Sequence, residues 1–101
     1  MELTIHAPAI LVCTKFVDFR KAINGLVDVA LTELSVDPRT AIFIFYNRGR
    51  DRIKILAWHK NGFVLLLKRL EQGHFFNIRN DTDVVNVTPQ QLSWLLAGLD
   101  G

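Results

Sequence analysis

The sequence predicts an α+β domain, and three observations carry that prediction. Ala41–Tyr46 (Ala-Ile-Phe-Ile-Phe-Tyr) is a run of β-branched and aromatic residues. Asn61-Gly62 stands between two apolar runs as a hairpin signal. Two segments with apolar residues at three- and four-residue spacing flank this central part. The expected order is strand, helix, a three- or four-stranded antiparallel meander, then helix, with both helices on one face of the sheet. At 101 residues the chain is read as one domain over residues 1–101.

Residues 9–14 form a short β-rich run, the expected first strand. Cys13 closes the apolar part of it and is the only cysteine, which excludes an internal disulfide and reads as a buried thiol. A helix is expected from Asp18, whose carboxylate can accept from a free N–H of the first turn. Phe19, Ile23, Leu26, Val27, Ala30, Leu31 and Leu34 line its apolar face, and Asp37-Pro38 stops it. Gly25 is a weak point within it, costing about 1 kcal/mol against Ala unless something packs closely there.

Ala41–Tyr46 reads as a strand covered on both faces or central in the sheet. Residues 47–51 make a turn, 52–60 a strand, and 63–70 the next. Both Asn61 and Gly62 tolerate positive φ, as a two-residue type I′ turn requires. That turn pairs Lys60 with Phe63, Trp58 with Leu65, Leu56 with Leu67 and Lys54 with Arg69. Residues 74–78 are a candidate edge strand and 80–83 a loop. Thr88-Pro89-Gln90-Gln91 has the pattern of a helix start: Thr88 as cap, Pro89 in the first position, Gln91 three residues after the cap. Leu92, Leu95, Leu96 and Leu99 form the stripe of that last helix, with Gly98 and Gly101 at its end.

Half the residues are hydrophobic, which fits either a self-association surface or a tight core with short loops. Twelve Lys and Arg against ten Asp and Glu leave a formal charge of +2, so placement matters more than total. Between Arg48 and Arg69 stand seven basic residues and one acid, Asp51. In the expected hairpin Lys54 faces Arg69, with Arg52 and Arg50 extending that side, while Lys68 falls on the other. Like charges directly across a strand pair are destabilising. One explanation is that the long side chains splay into water or pair with Asp51 and Glu71. Another is that Arg48, Arg50, Arg52, Lys54, Lys68 and Arg69 await phosphates, with Trp58 and Phe63 available for stacking. An acidic protein partner is a third.

No chemistry-bearing motif competes with that. His6, His59 and His74 have no ligand spacing with one another or with Cys13, so neither metal nor cofactor is expected. There is no phosphate-binding loop, nucleophile elbow or dinucleotide fingerprint. Asp51 and Glu71 are more simply charge partners than a metal-binding carboxylate pair, and the chain reads as non-catalytic. Glu2 occupies a position where a signal peptide carries positive charge, and no run approaches the ~18 apolar residues of a membrane span, so the expected location is the cytoplasm. Trp94, beside the leucine stripe, is a core or interface residue.

The run Phe43-Ile44-Phe45-Tyr46-Asn47-Arg48-Gly49-Arg50-Asp51-Arg52-Ile53-Lys54-Ile55-Leu56-Ala57-Trp58 resembles the central motif of a known family, an aromatic strand followed by Asn-Arg-basic-Arg-Asp-Arg/Lys-Ile-Lys and a closing Trp. Asp18-Phe19-Arg20-Lys21-Ala22-Ile23-Asn24-Gly25-Leu26 and Lys68-Arg69-Leu70-Glu71-Gln72-Gly73-His74-Phe75 are similar to its flanking blocks. Gln91-Leu92 with Leu96, Gly98, Leu99 and Asp100 is similar to its ending. The family is the TnpB (Orf-two) accessory proteins of insertion sequence sixty-six, and the resemblance covers residues 10–100. It departs at Gly49, where the family has a third basic residue, at Ala57, where it has an aromatic, and at Asn77, where an aromatic-Pro pair is common. The resemblance implies a mobile-element setting, a separate transposase that does the strand chemistry, and a non-catalytic helper that meets transposon DNA or that transposase. Two functions are expected on this basis: a nucleic-acid-binding helper, or a protein-interaction module that docks on the transposase or forms a homo-oligomer through Trp58, Phe63 or Trp94.

Overall fold

A computed structural model describes residues 9–78 and 81–98. Strand β1 (Ala9–Cys13) leads through an irregular segment to α1 (Ile23–Asp28), which widens into a π-helical stretch over Val29–Glu33. Strands β2 (Ala41–Tyr46), β3 (Arg52–His59) and β4 (Gly62–Arg69) follow, then β5 (Val84–Val87) and α2 (Pro89–Ala97). One sheet holds all five strands in the order β4-β3-β2-β1-β5. β1 runs parallel to β2 and antiparallel to β5, and the other pairs are antiparallel. The α+β class and the strand–helix–meander–helix order are therefore as expected. The parallel pair needs a long crossover, and the segment carrying α1 supplies it.

The two helices lie on opposite faces, not on one. Leu26, Val29 and Ala30 pack with Cys13, Phe43, Phe45 and Leu56, whereas Leu95 packs with Val12, Ile44, Tyr46, Ile53 and Phe75. The reason is in β2: alternate residues point to opposite faces, and here both sets are apolar. Each face then needs its own cover.

β5 replaces the expected edge strand at 74–78. Val84 to Val87 pair with Cys13 to Ile10, while the earlier segment turns inward. There Phe75 is buried, and its N–H donates to the Arg50 carbonyl at 2.7 Å.

The hairpin register is shifted by two residues from the expected one. His59 pairs with Gly62, Trp58 with Phe63, Leu56 with Leu65, Lys54 with Leu67 and Arg52 with Arg69. The turn is Lys60-Asn61, with positive φ on Lys60 (55°) and Gly62 already in the strand. This register sets the Trp58 and Phe63 rings edge-to-face at 5.0 Å and brings Leu65 over the α1-side core. Those cross-strand contacts outweigh the intrinsic preference of Asn-Gly for a turn. A shift of two leaves every side chain on the face it was expected to occupy.

α1 begins later than expected, with Ala22 as an N-cap that makes no side-chain cap bond. The Asp18 carboxylate is taken up by Arg20: it accepts from the Arg20 backbone N–H at 2.9 Å and from the guanidinium at 2.6 Å. That closes a local turn in place of a helix start. The end is earlier too. Leu34 N–H donates to the Val29 carbonyl in the π pattern, and Ser35, at φ 57°, turns the chain before Asp37-Pro38 is reached. Leu31, expected in the apolar face, is exposed, because the widened turn no longer keeps the helical three- and four-residue spacing. Gly25 has the close neighbour that its position called for: a Cβ there would stand 3.1 Å from the Lys21 Cβ.

α2 starts as expected. The Thr88 hydroxyl accepts from Gln91 N–H at 3.1 Å, and the Gln91 side-chain oxygen accepts from Thr88 N–H at 2.8 Å. Leu92, Leu95 and Leu96 face the sheet. Leu99 and Gly101, and His6 at the other end, lie outside the described residues.

Candidate nucleic-acid interface

The basic residues are organised by the β2–β3 turn, and that turn is built around Asn47. Its side-chain amide donates to Asp51 Oδ1 at 2.6 Å, and its side-chain oxygen accepts from Arg52 N–H at 3.1 Å. Its backbone carbonyl accepts from Arg50 N–H, and its N–H donates to the Arg52 carbonyl. The Asp51 carboxylate is held below the usual range, chiefly by the Asn47 amide. The following segment clamps the turn from outside: Leu70 N–H donates to the Asp51 carbonyl at 2.8 Å, and Phe75 holds Arg50. Arg50 itself sits at φ 56°, a conformation that non-glycine residues rarely adopt.

From this turn the cations separate into two clefts. Arg52, Lys54 and Arg69 line an open groove of about 520 Å³ on the α1 side of the sheet, with Phe19, Leu67 and Glu71. Arg52 stands opposite Arg69 across the strand pair, and Arg69 is paired with Glu71 at 2.9 Å in an exposed ion pair. Lys54 is differently employed. Its ammonium donates to the carbonyls of Phe19 and Lys21 at 2.8 and 2.7 Å and lies 4.8 Å from the centre of the Phe19 ring. It ties β3 to the approach to α1 and offers little charge to a ligand.

Arg48 and Arg50 line the second cleft, about 240 Å³, with Thr14, Phe16, Tyr46 and Asn77. The Arg48 guanidinium lies 5.5 Å from the centre of the Phe16 ring. Lys68 belongs to neither. It projects from the opposite face and donates to the Leu96 carbonyl at 2.6 Å, where a cation meets the negative end of α2.

Of the aromatic candidates, Trp58 and Phe63 are half-buried against each other further along the groove face. Trp94 is 59% exposed. It borders a largely apolar pocket of about 360 Å³ between α2 and the 76–78 segment, with Phe76 and Val85. The sequence reading missed Phe16, Phe19 and Tyr46 as cleft residues. Phe19 looked like helix core, and only the late start of α1 frees it. Cys13 is buried, donates to the Lys15 carbonyl at 3.3 Å, and has its thiol pKa pushed up by burial. Among the described residues there is no group of three or more His, Cys, Asp or Glu placed to hold a metal. No helix among them is long and apolar enough to cross a membrane.

Comparison with known proteins places these features in a context. A family model described as "IS66 Orf2 like protein" matches residues 8–101. The chain is 37% identical over 92 residues to the uncharacterised protein y4jC of Sinorhizobium fredii, covering 90% of this chain and 79% of that one. It is 32% identical over 59 residues to a second uncharacterised protein of that organism, y4hO, covering 58% of this chain and 51% of that one. No solved structure matches the chain.

Proposed function

Because the chain belongs to the IS66 Orf2-like family, we propose that it is a non-catalytic accessory of insertion-sequence transposition that grips a nucleic-acid backbone. It acts in the cytoplasm beside the transposase of its element, which supplies the chemistry. The observation that carries this reading is the opposition of Arg52 and Arg69 in an open groove, with Arg48 and Arg50 at the adjoining turn. Like charges held across a strand pair are a cost that an anionic partner removes. Arginine also suits phosphate, since its planar fork binds two oxygens at once.

The number of contacts is testable. All six cations would give a slope of log affinity against log salt near about −5, at ~0.9 per phosphate. Lys54 and Lys68 are engaged with backbone carbonyls, so four arginines remain, Arg69 by exchanging its exposed Glu71 partner for a phosphate, and the expected slope on duplex DNA is about −3.6. Anisotropy titrations over a range of salt measure it. No binding to duplex or single-stranded DNA at low salt would sink the proposal.

A second reading rests on Trp94. A tryptophan this exposed beside an apolar pocket suits a protein partner, either the transposase or another copy of the chain. Light scattering and a pull-down with the transposase distinguish the two: a strict monomer that retains nothing removes it.

A further inference from the structure

We propose that the cleft between the end of β1 and the β2–β3 turn is a seat for a single phosphate group, held by the guanidinium groups of Arg48 and Arg50 and the hydroxyl of Tyr46. The source of that phosphate, a nucleic acid, rests on the function proposed above; the chemistry of the seat does not.

Tyr46 is the telling residue. It is 3% exposed, its ring packs against Phe75 with centroids 6.4 Å apart, and its buried hydroxyl has no hydrogen-bond partner among the described residues. A buried hydroxyl left unpaired costs free energy that phenylalanine would not, and such groups are rare unless something satisfies them. The hydroxyl belongs to a residue that lines the cleft containing Arg48 and Arg50. Arg50 is near enough for its charge to favour the phenolate, but burial dominates and pushes the pKa up to about 12. At neutral pH the group is therefore a donor.

The other polar groups agree on the sign of the ligand. Arginine only donates. The Thr14 hydroxyl is already donating to the Thr82 carbonyl at 2.8 Å. Two cations lining one small space, beside a residue whose buried neutral donor is unpaired, call for a compact anion with several acceptor oxygens. The backbone supports this. Arg50 holds its positive φ, although Gly49 next to it would adopt that conformation more easily, and hydrogen bonds from both sides fix it there. Ser35 and Lys60 adopt the same φ in ordinary turns, so at Arg50 the conformation serves to fix where the guanidinium leaves the turn. At about 240 Å³ the space is below the ~300–1,000 Å³ of sites that enclose a drug-sized ligand. It takes a phosphate, not a whole nucleotide.

The test uses the full chain and three probes: inorganic phosphate by calorimetry, and 3′-labelled oligonucleotides with either a 5′-phosphate or a 5′-hydroxyl by anisotropy. The proteins are wild type, Tyr46→Phe and Arg48→Ala. Tyr46→Phe keeps the ring and removes only the unpaired hydroxyl, so the free variant melts at or above the wild-type temperature. Its affinity for inorganic phosphate falls about ten-fold or more, the effect of losing one hydrogen bond to a charged group, and Arg48→Ala falls likewise. A loss confined to the 5′-phosphorylated oligonucleotide identifies a terminal phosphate as the source, and an equal loss on both identifies an internal phosphodiester. Phosphate binding without any oligonucleotide binding upholds the seat and removes the nucleic-acid reading. Oligonucleotide binding that neither variant changes, with no phosphate binding, overturns the seat and leaves the Arg52–Arg69 groove standing.

Discussion

Arg52 and Arg69 face each other across β3 and β4, a directly opposed pair of like charges in the outer half of the sheet. Glu71 is paired with the second of them, and β4 is an edge strand, so the pair opens to solvent. Arg52→Ala should separate function from stability at this point. The salt slope of DNA binding is expected to flatten by about 1. Urea melts should show stability unchanged or raised by roughly 0.2–1 kcal/mol, since a like-charge opposition has been relieved. A flat slope in the wild type, or an unchanged slope in the variant, removes Arg52 from the interface.

Lys54 predicts the reverse pattern. Its ammonium ties β3 to the carbonyls of Phe19 and Lys21, and the side chain is half-buried. Lys54→Met retains the aliphatic body and leaves those carbonyls without that donor. A loss of about 1–3 kcal/mol in urea unfolding is expected, with the salt slope close to that of the wild type. A slope that flattens while stability holds would show that this ammonium is available to phosphate after all.

Asp51 gives the pH dependence of the turn. Its folded-state pKa is depressed, chiefly by the Asn47 amide, relative to the ordinary carboxylate value. The contribution to stability is therefore complete above about pH 4, the unfolded-chain value, and is lost as pH falls through the lower folded value. NMR titration of the Asp51 carboxyl should show that depressed midpoint. Asn47→Ala should return it towards the ordinary value and loosen the turn that presents Arg48 and Arg50. An unshifted midpoint in the wild type would mean that the Asn47 contact does not persist in solution.

The start of α2 offers a test of the fold alone. Thr88 and Gln91 satisfy each other's backbone N–H groups, so Thr88→Ala should cost about 1 kcal/mol while DNA binding is untouched. Coincident loss of binding in this variant would place α2 nearer the interface than the geometry does.

Local chemistry was enough to read much of this chain. Thr88-Pro89-Gln90-Gln91 marked the start of α2 because its capping groups lie within four residues of one another. Ala41–Tyr46 announced a strand covered on both sides or central in the sheet, since its side chains are aliphatic or aromatic throughout. The faces of Lys54, Arg69 and Lys68 were legible because alternation along a strand survives a register shift of two. The basic run and the blocks around it carried the family. Tertiary structure decided what depends on distant partners. It moved the hairpin turn to Lys60-Asn61, because Trp58 against Phe63 and Leu65 over the core outweigh a turn preference. It put α1 and α2 on opposite faces and paired Val84–Val87 with β1. It also assigned the cations: Lys54 and Lys68 were drawn to backbone carbonyls more than 25 residues away in sequence, Arg69 took Glu71 as a partner in an exposed ion pair, and Arg48, Arg50 and Arg52 line the clefts. Sequence position states which charges a chain owns, but a charge is free or spent according to which carbonyls and acids folding brings beside it, and those contacts exist only in three dimensions.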